Sequence, residues 1–166
     1  DEAQKSGNKP KIIALLAESN DVNAKDKDGK TALHNAVRSG DKEKIETLIN
    51  LGADVNAKDR ENEDTPLHLA VSLKNKDIAE LLLIKGAHVN AKSRSGTPLH
   101  DAVNQGNRDI TALLLAKGAD IGAKNGWNAT PLNLALSANN IVLAEFLLAQ
   151  GADFQGITSD WGTPLH

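Results

Sequence analysis

The chain contains no cysteine, no methionine and no tyrosine, and only two tryptophans and two phenylalanines among 166 residues. Without cysteine there is no disulfide scaffold and no thiolate chemistry. With aromatics at 2%, a core has to be assembled from Leu, Ile, Val and Ala. No apolar run approaches the roughly 18 residues that a membrane-spanning helix needs. Nothing at the N-terminus reads as a secretory signal. Because methionine is missing, residue 1 is not a translation start, and the sequence reads as a piece of something longer or a processed form. The formal net charge is only −3, from 19 basic and 22 acidic residues. That balance lacks the basic footprint of a general nucleic-acid binder. What is present, 40% apolar and 25% charged residues, fits one folded domain with a sizeable core. Nothing here fixes a compartment, and a cytoplasmic location is the default expectation.

The sequence repeats itself. A four-residue motif recurs as Thr31-Ala32-Leu33-His34, Thr65-Pro66-Leu67-His68, Thr97-Pro98-Leu99-His100, Thr130-Pro131-Leu132-Asn133 and Thr163-Pro164-Leu165-His166, with successive spacings of 34, 32, 33 and 33. A second marker follows the first four copies: Gly52-Ala53-Asp54, Gly86-Ala87-His88, Gly118-Ala119-Asp120 and Gly151-Ala152-Asp153. Two independent markers holding one period identify a stacked-repeat architecture.

The Thr-Pro-Leu-His motif, the Leu-Leu pairs and the Gly52-Ala53-Asp54-Val55-Asn56 turn resemble the ankyrin repeat family across essentially the whole chain. The resemblance implies an all-α solenoid of helix-turn-helix units with projecting β-hairpin loops. It places a partial repeat at 1–23, repeats at about 24–56, 57–90, 91–122 and 123–155, and a partial repeat at 156–166.

The residues account for that fold on their own terms. Thr is a good helix N-cap, and Pro in the first turn gives up no useful N–H. A short first helix runs through Ala36-Val37, Ala70-Val71, Ala102-Val103 and Ala135-Leu136. Gly40, Gly106 and Asn139 suit its left-handed stop, and Lys74 suits it less well. The second helix carries an apolar stripe, such as Ile78-Ala79 with Leu81-Leu82-Leu83, and ends at Gly52, Gly86, Gly118 or Gly151. One helix pair cannot bury that face alone, so stability is shared between neighbours. Both ends stop inside a repeat, so the parent protein is expected to continue beyond His166. The chain is expected to be monomeric, with head-to-tail stacking of copies as the other possibility.

Several residues invite a chemical reading. His34, His68 and His100 could form a metal row, but packed helices lie about 8–10 Å apart and zinc ligands must converge at about 2.0–2.1 Å. The resemblance implies instead that these histidines hydrogen-bond within and between repeats. Asp26-Lys27-Asp28-Gly29 begins like a calcium loop, yet the EF-hand pattern needs its Gly at the sixth position and a Glu at the twelfth, so a turn is expected. Asn128-Ala129-Thr130 is a glycosylation sequon that chance also supplies. There is no phosphate-binding glycine motif and no nucleophile elbow, and no pair of carboxylates stands out. The chain is therefore expected to be no enzyme and to take no cofactor and no metal.

What remains is surface. The resemblance implies that another protein docks on a concave face built from loop tips and the inner side of the first helices. The tip positions are Lys27, Asp28, Lys30, Arg60, Glu61, Asn62, Glu63, Arg94, Ser95, Trp127 and Trp161. The helix positions include Arg38, Ser39, Ser72, Leu73, Asn104, Gln105, Ser137 and Ala138. From these the expected partner-binding set is Trp127, Trp161, Arg60, Glu61, Asn62, Arg94, Arg38, Asn104 and Ser137. Such positions vary between repeats while the framework holds, as a binding face would and as tolerant surface would.

Two features favour the C-terminal end. Both tryptophans fall in loop tips, and tryptophan is enriched at binding hot spots. Residues 1–92 hold 15 basic and 16 acidic residues, whereas 93–166 hold 4 and 6 together with every aromatic residue. A rival reading has Trp127, Trp161, Lys124 and Arg94 stacking bases and meeting phosphates, or holding a small ligand. Another makes the chain a spacer for a catalytic domain elsewhere in its parent.

Overall fold

The computed structural model describes residues 21–154. The partial repeat at 156–166, most of the one at 1–23, and Trp161 lie outside the described residues.

Eight helices occur among the described residues: α1 Ala32–Ser39, α2 Lys42–Asn50, α3 Pro66–Ser72, α4 Lys76–Ile84, α5 Pro98–Asn104, α6 Arg108–Ala116, α7 Pro131–Ser137 and α8 Ile141–Ala149. They pack as four hairpins, α1 on α2, α3 on α4, α5 on α6 and α7 on α8. The first helices also pack in series, α1 on α3, α3 on α5 and α5 on α7. This is the expected all-α solenoid, one hairpin to each period of the sequence.

Local chemistry starts and stops each helix. Thr31, Thr65, Thr97 and Thr130 stand in extended conformation at the N-caps of α1, α3, α5 and α7. The second helices are capped by Asp41, Asn75, Asn107 and Asn140, whose side chains accept from the N–H three residues on at 3.0–3.1 Å. Such caps satisfy backbone donors that a short helix otherwise leaves unpaired. Each first helix ends in a left-handed residue: Gly40, Gly106 and Asn139 as expected, and also Lys74 at φ +58°.

The core is the expected Leu, Ile, Val and Ala. Leu33, Leu67, Leu99 and Leu132 of the four-residue motif are fully buried, as are Ile45, Ile78, Ile110 and Leu143 of the second helices. Each such side chain contributes about 1.5–3 kcal/mol by leaving water. Within the apolar runs the stripe is narrower than the sequence suggests. Leu82 is fully buried, whereas Leu81 and Leu83 are only partly so.

The loops between hairpins project as short fingers. They close through Asp26 N to Lys30 O at 2.9 Å, Asp59 N to Asp64 O at 3.0 Å, Ser93 N to Gly96 O at 2.8 Å and Asn125 N to Ala129 O at 3.0 Å. One or two backbone bonds per finger are too few for a ladder, and no strand occurs among the described residues. The fingers are therefore tight turns rather than two-stranded hairpins.

Candidate functional site

The fingers are built on side-chain turns. Asp26 Oδ1 accepts from the N–H groups of Asp28 and Lys30, both at 2.9 Å. Those donors hold the Asp26 carboxyl below its ordinary range. The carboxylate that opened the calcium-like motif is thus occupied by its own turn. Asp59 Oδ1 accepts from Asn62 and Asp64 at 3.0 and 3.2 Å, and Asn125 Oδ1 from Trp127 and Ala129 at 2.9 and 3.0 Å.

Adjacent fingers are then joined to one another. Arg60 N donates to Asp28 O at 3.1 Å, and Arg94 N to Asn62 O at 2.8 Å. Behind the fingers, Asn23, Asn56 and Asn90 form a second ladder. Their amides donate to the Gly52, Gly86 and Gly118 carbonyls at 3.2–3.3 Å and accept from the Asp54, His88 and Asp120 N–H groups at 2.6–2.8 Å. Gly122 occupies the next rung and has no side chain to continue it.

The histidines complete the scaffold. The Nδ1 atoms of His34, His68 and His100 accept from the N–H of Thr31, Thr65 and Thr97 at 3.1–3.2 Å. Their Nε2 atoms face the carbonyls of Asp64, Gly96 and Ala129 in the next repeat at 3.0–3.1 Å. A carbonyl cannot donate, so the proton sits on Nε2. Burial, the dominant influence, pushes all three imidazoles below their ordinary pKa. They are neutral structural groups, as the resemblance implied.

One cluster escaped the sequence. Asp64, His68 and Asp101 bring one potential metal-ligand atom each to within 4.8 Å of one another. The Asp101 carboxyl is pushed up to about 7, chiefly by burial, against a hydrogen bond from Ser95 and with repulsion from Asp64 adding to the rise. Ser95 Oγ donates to Asp101 Oδ1 at 2.9 Å. Both His68 nitrogens are already committed, to Thr65 and to Gly96. The ring therefore has no lone pair to spare, and the trio does not fit a metal without breaking the repeat contact. Asp64 and Asp101 are 37 positions apart, and the only clue to their meeting is that they flank motifs of adjacent repeats.

The expected binding residues divide in two. Arg60, Glu61, Asn62, Arg94 and Trp127 are exposed on the fingers; Arg38, Asn104 and Ser137 are exposed in the last turns of α1, α5 and α7. Each of the latter lies seven residues past its N-cap Thr, about 10 Å along the helix at 1.5 Å per residue. They form a second strip set back from the tips. Trp127 is 77% exposed, the highest value among the exposed large apolar residues, and Ile141, Val142, Leu148 and Phe154 add apolar surface toward the same end. Glu61 is engaged by Lys30 at 3.6 Å.

Comparison with protein-family models matches ankyrin repeats over three overlapping stretches, residues 2–93, 58–125 and 99–166. A search of curated proteins finds no match. No helix among the described residues is long and apolar enough to cross a membrane. Matched over essentially its whole length, and folded as serially packed helix pairs joined by finger loops, the chain belongs to the ankyrin repeat family.

Proposed function

We propose that this chain is a non-catalytic module that binds another protein through its finger row and the exposed side of its first helices. Ankyrin repeats are generally protein–protein interaction modules. The observation that carries the reading for this chain is the bonding of finger to finger, Arg60 to Asp28 and Arg94 to Asn62, with the exposed Trp127 ring on the same row. Loops already ordered lose little entropy on docking, and an exposed indole is a ready anchor. Arg60, Asn62, Arg94 and Trp127 make up the tip contribution, and Arg38, Asn104 and Ser137 the set-back strip. Trp161 is assigned to the same face from its place in the repeat.

The test is affinity capture of partners with the wild type and with Trp127→Ala, each checked by circular dichroism and thermal melting. Trp127→Ala is expected to melt within about 0.5 kcal/mol of wild type, because an exposed side chain carries little of the fold. Its specific partners should be lost. Partners retained in full by a folded Trp127→Ala protein would remove the tip from the binding site.

A further inference from the structure

We infer that the fingers at 92–96 and 124–128 receive an acidic segment of the partner that also carries an apolar side chain. Its carboxylates meet Lys92, Arg94 and Lys124, and its apolar group covers the Trp127 ring. The inference rests on the protein-binding reading of the finger row and specifies the chemistry of what docks there.

The four fingers differ in charge. The first carries Lys25, Lys27 and Lys30 against Asp26 and Asp28, and the second carries Lys58 and Arg60 against Asp59, Glu61, Glu63 and Asp64. Their cations are partly answered, by Lys30–Glu61 at 3.6 Å and Lys58–Glu63 at 4.0 Å. The third and fourth fingers carry Lys92, Arg94 and Lys124 and no carboxylate. All three cations are exposed, and none takes part in the ion pairs found among the described residues. Of the carboxylates packed beside these fingers, Asp101 is turned toward Ser95, and Asp64 lies next to it.

These two fingers also touch. A Cβ built on Gly96 would stand 2.8 Å from Asn125 Cβ, and one on Gly126 would stand 3.6 Å from the Arg94 carbonyl. The fingers that bear the three exposed cations and the 77%-exposed Trp127 are therefore in contact with each other. A purely apolar partner would cover cations without pairing them, which is unfavourable. A purely anionic one would leave the indole in water. A mixed acidic and apolar segment satisfies both. A nucleic-acid strand offers anions and stacking faces too, but an extended phosphate backbone runs on past Arg94 across Glu61, Glu63 and Asp64, whereas a short acidic peptide meets them only at its Arg94 end.

The experiment uses the full chain with Trp161→Phe, so that Trp127 is the sole indole reporter. The probes are a short peptide alternating Glu with Leu, the matching Lys/Leu peptide, and an oligothymidylate. The Glu/Leu peptide is expected to give a saturable change in Trp127 emission. Its affinity should fall at least about tenfold in Arg94→Glu/Lys124→Glu, and also between 0.1 and 1 M salt, as the screening length shrinks from about 10 to about 3 Å. Lys92→Glu provides a second variant should the double change perturb the fold. No response to Glu/Leu, an equal response to Lys/Leu, or tighter binding of the oligothymidylate overturns the inference. A partner that needs Trp127 but ignores charge reversal also overturns it, while leaving the broader binding role intact.

Discussion

His68 and Gly96 meet across a repeat boundary: the imidazole Nε2–H donates to the Gly96 carbonyl at 3.1 Å, while Nδ1 accepts from the Thr65 N–H in its own repeat at 3.2 Å. Asn133 shows the near half of this arrangement alone, with Oδ1 accepting from the Thr130 N–H at 2.8 Å. His68→Asn should therefore keep the helix cap and lose the bond between repeats. The expected cost is about 1–3 kcal/mol, the range for disrupting a buried hydrogen bond. Chemical denaturation measures it, and an unchanged midpoint and slope would show that the inter-repeat bond contributes nothing net.

The same histidines make stability depend on pH. Burial holds His34, His68 and His100 below the ordinary imidazole value of about 6.5. Below that value the unfolded chain binds protons that the folded one resists. Their contribution is thus complete above about pH 6.5 and lost as pH falls below it. Melting temperature should drop on that acid limb, and a His100→Asn variant should show a shallower drop. Equal slopes would refute the assignment.

Asp101 works in the opposite sense. Its carboxyl is pushed up to about 7 in the fold, from an ordinary value of 3.8. Between those values the folded molecule keeps a proton that the unfolded chain has released. Its favourable effect is full at low pH and lost as pH rises through about 7. Asp101→Asn retains an acceptor for Ser95 without the charge. It should raise the melting temperature near pH 8 and leave it unchanged near pH 4, as read by melts at both values.

Gly122 interrupts the ladder that Asn23, Asn56 and Asn90 build. Its backbone is outside the left-handed region, and an added Cβ would meet only Asp120 Oδ1, at an ordinary 3.7 Å. Gly122→Asn should restore a rung toward the Gly151 carbonyl and reduce the conformational freedom of the unfolded chain. A gain of about 1 kcal/mol is expected from these two effects together. Asn56→Ala, which removes an existing rung, should lose a similar amount. Denaturant titration of the pair decides, and a destabilised Gly122→Asn would contradict the ladder.

Lys74 holds φ +58° where two other repeats place glycine. A left-handed backbone costs a non-glycine residue about 1–2 kcal/mol, partly offset by the greater freedom that glycine has when unfolded. Lys74→Gly should stabilise by up to about 1 kcal/mol in a thermal melt. A loss of stability would mean that the exposed lysine side chain contributes more than its backbone costs.

Much of this molecule is written in one dimension. The Thr-Pro-Leu-His boxes, the glycine stops and the apolar stripes recur at one period, and each acts within its own turn of helix. Thr65 capping α3 or Gly40 ending α1 needs no distant partner, so the helices and their stacking could be read from Thr31 to Thr130 directly. Tip positions such as Arg60, Arg94 and Trp127 were legible as exposed for the same reason. Beyond the histidine bonds that the resemblance implied, contacts between repeats were not, because they join residues about 30 positions apart through the reach and direction of single side chains. Only the tertiary structure brought Asp64 beside Asp101, ran the Asn ladder forward to Gly118 and stopped it at Gly122. It also laid the finger of Trp127 against that of Arg94. Local periodicity set the units, and packing between them decided which charges, amides and rings share a surface.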